Sequence, residues 1–182
     1  MMLARLARRL AGLLPALALG LALAPRPAAA VEEMALKAAI VYNILLFVEW
    51  PAAALPAPGG VLSLCVAPHA GMREALQVLD RSQLRGFVLA LRELVATEAT
   101  KPCHAVVIDA ADRQRLAASL KSQRAAGALV ISDDPEAPVD STAIVLHRAG
   151  SKIVFDVNLR PLRQAGLQLS SKLLRLARVV RE

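Results

Sequence analysis

The sequence predicts a single α/β domain: a mixed, mostly parallel sheet flanked by helices, with a C-terminal β-hairpin and a terminal helix. Three observations carry that expectation. Short runs rich in Val, Ile and Leu alternate with helical segments as far as residue 131, the pattern of a helix-covered parallel sheet. Two β-branched runs, 142–146 and 153–157, are then separated by six residues that include Gly150, which is hairpin spacing. Once an N-terminal targeting segment is set aside, 152 residues remain, the size of one ordinary domain.

The targeting segment is residues 1–30. Arg5, Arg8 and Arg9 form a basic start, 10–24 is an apolar run, and Ala28 and Ala30 provide a small-x-small cleavage site, with the cut after Ala30. The apolar run falls short of the roughly 20 residues a bilayer span needs. The expectation is a cleaved secretory signal peptide and an exported, released domain at 31–182. Its removal also changes the charge. The formal +7 includes four leader arginines, so 18 basic residues face 15 acidic ones in 31–182. With one Trp, one Tyr and three Phe, the chain lacks both the basic footprint and the stacking platforms of a nucleic-acid binder.

Residues 34–51 read as a helix that is apolar on nearly every side, with Lys37, Asn43 and Glu49 as its strongly polar members. A helix apolar all round belongs in a core or a membrane; its unbroken apolar stretch is too short for a bilayer, so it is expected to be buried, ending at Pro51. A linker of Ala, Pro and Gly follows. Strands are expected at 61–66, 86–91, 103–108 and 128–131, with helices at 72–79 and 109–120, the latter capped by Asp109 or Asp112. Beyond the hairpin, which adds an antiparallel edge, 161–165 and 170–180 read as helices, the last capped by Ser170 or Ser171.

Cys65 and Cys103 form an even pair in an exported chain, which favours a disulfide over a redox switch or a metal pair, there being no CxxC spacing. Plain register between parallel neighbours would leave the two too far apart, since bridged Cα atoms lie within about 7 Å. Either the strands are staggered or Cys103 belongs to the loop before its strand.

Catalytic and cofactor chemistry finds no support. His69, His104 and His147 have no metal-ligand spacing, and a site from Cys65, Cys103, His104 and His147 would rest on the adjacency of two residues. No GxSxG occurs, Ser170-Ser171-Lys172 lacks the Ser-x-x-Lys spacing, and no nucleophile–base pair is visible. Asp133 and Asp134 with Glu136 offer ligands for a cation, but a solvated acidic turn is the favoured reading. Lys172, Arg175, Arg178 and Arg181 recur every three residues; on one helix they would form a stripe, either solvated or docked on an acidic partner or anionic lipid. Trp50 is a partner anchor or packs beside the first helix. Trp50, Lys172, Arg175 and Arg178 are the partner-binding candidates.

The order of several segments carries a resemblance. Leu36-Lys37-Ala38-Ala39-Ile40-Val41-Tyr42-Asn43 leads to Val48-Glu49-Trp50-Pro51. Then follow Leu64-Cys65-Val66, Cys103-His104-Ala105-Val106-Val107-Ile108, Val130-Ile131-Ser132-Asp133 and Ile153-Val154-Phe155-Asp156-Val157-Asn158, with Gly166-Leu167-Gln168-Leu169-Ser170-Ser171-Lys172-Leu173 near the end. Together they resemble the YfiR/HmsC-like family of exported proteins. The resemblance implies a periplasmic, non-catalytic α/β protein without cofactor. It implies a homodimer that represses an inner-membrane diguanylate cyclase by binding its periplasmic portion, lowering cyclic-di-GMP and biofilm formation. An outer-membrane OmpA-like lipoprotein would sequester it. Cys65 and Cys103 match the family's cysteine positions, which supports the bridge. With only two cysteines, a second disulfide found in some relatives cannot form, and Asp140-Ser141-Thr142-Ala143 stands where a glycine pair is usual.

Two readings compete. A regulator that binds a sensor domain predicts an exposed apolar patch. A small-molecule-binding accessory of another receptor or transporter predicts an enclosed pocket near Asn158 or His147.

Overall fold

The computed structural model describes residues 27–96 and 101–182. The expected signal segment through residue 26 lies outside the described residues.

The fold is a single mixed α/β domain around an eight-stranded, mostly parallel sheet. The segment 61–66 becomes β2 (Val61–Val66), the central strand, because Leu62, Leu64, Cys65 and Val66 supply apolar side chains to both faces. It lies between β4 (Phe87–Glu93) and β5 (Ala105–Ile108), both parallel to it. From β5 the sheet continues through β6 (Leu129–Ser132), β7 (Ile144–Ala149), β8 (Lys152–Asn158) and β10 (Val179–Arg181); β3 (Gln83–Leu84) closes the other edge antiparallel to β4. A separate two-residue ladder joins β1 (Val48–Glu49) to β9 (Gln168–Leu169).

Helices fill the connections: α1 (Pro27–Phe47), α2 (Arg73–Leu76) with a following 3-10 turn (Gln77–Leu79), α3 (Ala110–Arg113), α4 (Ala117–Ala125), α5 (Leu159–Gln164) and α6 (Ser171–Leu174). The single helix expected over 109–120 is thus two. Asp109 caps the first, its Oδ1 accepting the Ala111 amide at 3.1 Å, and the chain re-aims around fully buried Leu116 before α4 begins.

Three further expectations need correction. The terminal helix begins where Ser170 caps it, with Oγ accepting the Lys172 amide, but it lasts one turn. Val179 and Val180 then join β8 in parallel register as β10. An isolated helix this short is marginal, and β-branched residues suit a strand better, so sheet pairing wins. The hairpin of β7 and β8 turns tightly at Gly150 (φ +63°), but it is not an edge, because β10 covers it. Finally, α1 is not buried all round. Ala38, Val41, Ile44 and Leu45 lie in the core while Val31, Ala35, Leu36 and Ala39 face outward.

The cysteine register resolves in favour of the loop. Cys65 stands opposite Val106, whereas Cys103 precedes β5 and lies in the loop leading to it. Their Cα atoms are 6.0 Å apart and the two sulfurs are bonded.

Candidate interaction surface

Helix α1 has more apolar surface than one sheet can cover. Its inner face packs into the core; its outer face meets α2 and the 3-10 turn along one side, and the two walls enclose a groove of about 680 Å³. Val31, Met34, Ala38, Tyr42, Ala75 and Val78 line it. Val31 is 68% exposed and Val78 79%. Alanines on the α1 wall carry little side-chain bulk, which lets another backbone approach closely, and Glu74 and Asn43 are among the groove's few polar groups. Contiguous apolar surface of this kind marks an interaction or ligand site more often than a chance exposure.

Buried charge fixes how α1 presents that face. Lys37, only 6% exposed, places Nζ 2.7 Å from Glu33 Oε1 and 2.8 Å from Asp133 Oδ1. Glu33 also holds Arg148 at 2.8 Å. Burial disfavours the Lys37 charge, yet its hydrogen bonds to Asp133 and Glu33 outweigh it and its pKa is raised. The hydrogen bond from Lys37 lowers the Glu33 pKa, while burial pushes Asp133 up. Nearer the helix end, Tyr42 Oη donates to the Gln83 carbonyl at 2.7 Å. The expected solvated acidic turn is therefore neither loose nor free: Asp133 pairs with Lys37, and Asp134, 5% exposed, pairs with Arg113.

The usual ligand position of an open α/β sheet lies outside the carboxyl ends of its strands, where the strand order reverses. Here that position is between β2 and β5, and the chain's own groups hydrogen-bond across it. Fully buried Asp112 accepts the His69 amide at 2.7 Å, lies 2.9 Å from His69 Nδ1 and pairs with Arg115. Asp109 Oδ2 accepts the Gly71 amide at 3.1 Å. Burial raises the Asp112 pKa, but hydrogen bonds from Arg115 and His69 reverse the shift and leave it lowered.

At the opposite end of the sheet the tertiary structure makes a serine–histidine contact that sequence spacing could not reveal: Ser63 Oγ lies 3.1 Å from His104 Nδ1. It has the distance of a nucleophile–base pair but not the electronics. The Ser63 backbone amide donates to the same Nδ1 at 3.0 Å, occupying its in-plane lone pair, and Nε2 lies 3.1 Å from the Ala54 carbonyl. The histidine is thus a neutral Nε2–H tautomer whose acceptor nitrogen is already engaged. Burial lowers its pKa. Trp50 Nε1 donates to the His104 carbonyl at 3.2 Å, packing the tryptophan edge-on against the imidazole.

A family model described as YfiR/HmsC-like matches residues 34–178. The chain belongs to the YfiR/HmsC-like family. A search of curated proteins found no significant match.

The YfiR/HmsC-like match runs from Met34, in the groove wall, to Arg178, which the cation-stripe expectation had placed on a terminal helix. The structure dissolves that stripe. Lys172 and Arg175 stay exposed around α6, but Arg178 and Arg181 lie beyond it and reach Asp156 on β8. Asp156 is 1% exposed and also lies 3.2 Å from His147 Nε2. The hydrogen bond from Arg178 holds its carboxyl below the ordinary range. Trp50 is half-buried and engaged with His104. The four-residue cysteine–histidine set does not converge: the cysteines bind each other, His104 meets Ser63 and His147 meets Asp156. The groove itself was missed in the sequence. Its available signals were an α1 apolar on too many sides and Val78, an apolar residue off the 72, 76, 79 face of its own helix.

Proposed function

We propose that this protein is a non-enzymatic regulator exported to the periplasm. There it binds the periplasmic portion of an inner-membrane diguanylate cyclase and represses it, lowering cyclic-di-GMP and biofilm formation. Membership of the YfiR/HmsC-like family supports this reading. The observation that carries it is the open apolar groove between α1 and α2, a surface suited to another protein segment. The engaged His104 lone pair argues in the same direction, since it leaves Ser63 without a free base.

In this reading the protein works as a homodimer, and an OmpA-like lipoprotein of the outer membrane relieves repression by sequestering it. Exposed Lys172 and Arg175 contribute cationic contacts to a partner, while Trp50 is held against His104 outside the groove. Deleting the gene and measuring cyclic-di-GMP is the direct test. A rise that is reversed by the wild-type gene is the expected result; an unchanged level would overturn the repressor reading.

A further inference from the structure

We propose that the cleft between α4 and α5 binds a small organic anion, a carboxylate or phosphate head carrying a compact apolar body. The cleft encloses about 280 Å³, and Lys121, Arg124, Ser141, Ala143, Gln164 and Leu167 are among its lining residues. Lys121 and Arg124 stand one turn apart on α4, so both cations face it. Among the described residues no carboxylate lines it.

Arg124 is the decisive group. Its Nε is buried without a hydrogen-bond partner. Several other guanidinium groups in the domain are matched by carboxylates, among them Arg113 by Asp134, Arg115 by Asp112 and Arg178 by Asp156. Among the described residues no ion pair includes Arg124 or Lys121. A helix C-terminus favours a cation, which explains why Arg124 is tolerated in the last turn of α4, but the dipole supplies no acceptor to its buried N–H. An oxyanion in the cleft supplies the countercharge that the Arg124 guanidinium and Lys121 both lack, through charge-assisted hydrogen bonds.

The opposite wall states the rest of the ligand. Val130, Ala143, Pro161 and Leu167 are apolar and buried or nearly so, which favours a short hydrocarbon over a fully hydrated ion. The site lies away from the α1–α2 groove and is independent of the partner reading.

Amide NMR titrations of the purified protein with hexanoate, hexan-1-ol and inorganic phosphate test it. Hexanoate is expected to give saturable shifts at Ala125, Ser141, Ala143 and Gln164, and hexan-1-ol, which has the same chain without charge, is expected to give none. Arg124→Gln should weaken hexanoate by about tenfold, the loss of one charge-assisted contact. Lys121→Gln, at an exposed position, should weaken it without touching the fold. Phosphate is expected to bind the same residues more weakly. Absence of saturation with hexanoate would overturn the site, as would phosphate binding alone, equal binding of hexan-1-ol, or full hexanoate affinity in Lys121→Gln and a folded Arg124→Gln.

Discussion

Arg178 grips Asp156 with two parallel donors, Nε to Oδ1 at 2.8 Å and Nη2 to Oδ2 at 2.7 Å. This bidentate pair joins the chain's last strand to β8, and Arg181 adds a third contact at 3.1 Å. The carboxylate is buried while its cations reach solvent, so the acid is the member whose loss matters. Asp156→Asn is expected to lower stability by about 2 kcal/mol and to free β10. Urea unfolding gives the first quantity, and hydrogen exchange at Val179 and Val180 the second.

Acid should unfold the protein through its paired carboxylates. Asp156 and Glu33 are held low by hydrogen bonds from Arg178 and Lys37, and Asp112 by partners that overcome its burial. A carboxylate with a depressed folded pKa contributes stability above its unfolded value, near pH 4, and loses it as pH falls through the folded value. Asp133, raised by burial, acts in the opposite sense. The loss from Asp156, Glu33 and Asp112 sets in below about pH 4 and is read as a falling urea midpoint, and Asp156→Asn should flatten part of that slope.

His104 should stay neutral where an ordinary histidine titrates. Its depressed pKa means that the folded state resists the proton, so its contribution is lost as pH falls below about 6.5, the unfolded value, toward the lower folded one. Imidazole nitrogen NMR should report a protonated Nε2 and an accepting Nδ1 at neutral pH. A titration midpoint at or above 6.5 would contradict the Ser63 amide bond to Nδ1.

Removing the Cys65–Cys103 bridge should cost up to about 4 kcal/mol on the chain-entropy model for a separation of this length. The double replacement by alanine, followed by urea unfolding, measures it. The same variant leaves Ser63–His104 in place, so His104 tautomer signals should persist.

Val78→Asp puts a charge into the groove at a residue that touches little of its own fold. Stability is expected to change by less than about 0.5 kcal/mol, while repression of cyclic-di-GMP synthesis is lost. Leu176→Asp, exposed but outside the groove, is the control and should retain repression.

Much of this was legible in order along the chain. The apolar runs at 61–66, 103–108 and 128–131 became parallel strands, and the 142–157 spacing became a hairpin, because period and composition are local properties. The YfiR/HmsC-like segments were equally readable. The end of the chain was not. Its cations at every third residue fit a helix, but a helix reading cannot register that Asp156, more than 20 positions away, recruits two of them.

Local pattern along the chain is enough for the α/β class, the cysteine pair and an α1 with apolar residues on every side. Which of those α1 residues are covered depends on packing. One sheet face meets one stripe of a helix, so the surplus on α1 faced outward and, with Val78 brought alongside by α2, became the groove. The same assembly placed Ser63 against His104 and left Arg124 without an acid, relationships set by packing between distant segments rather than by any local pattern.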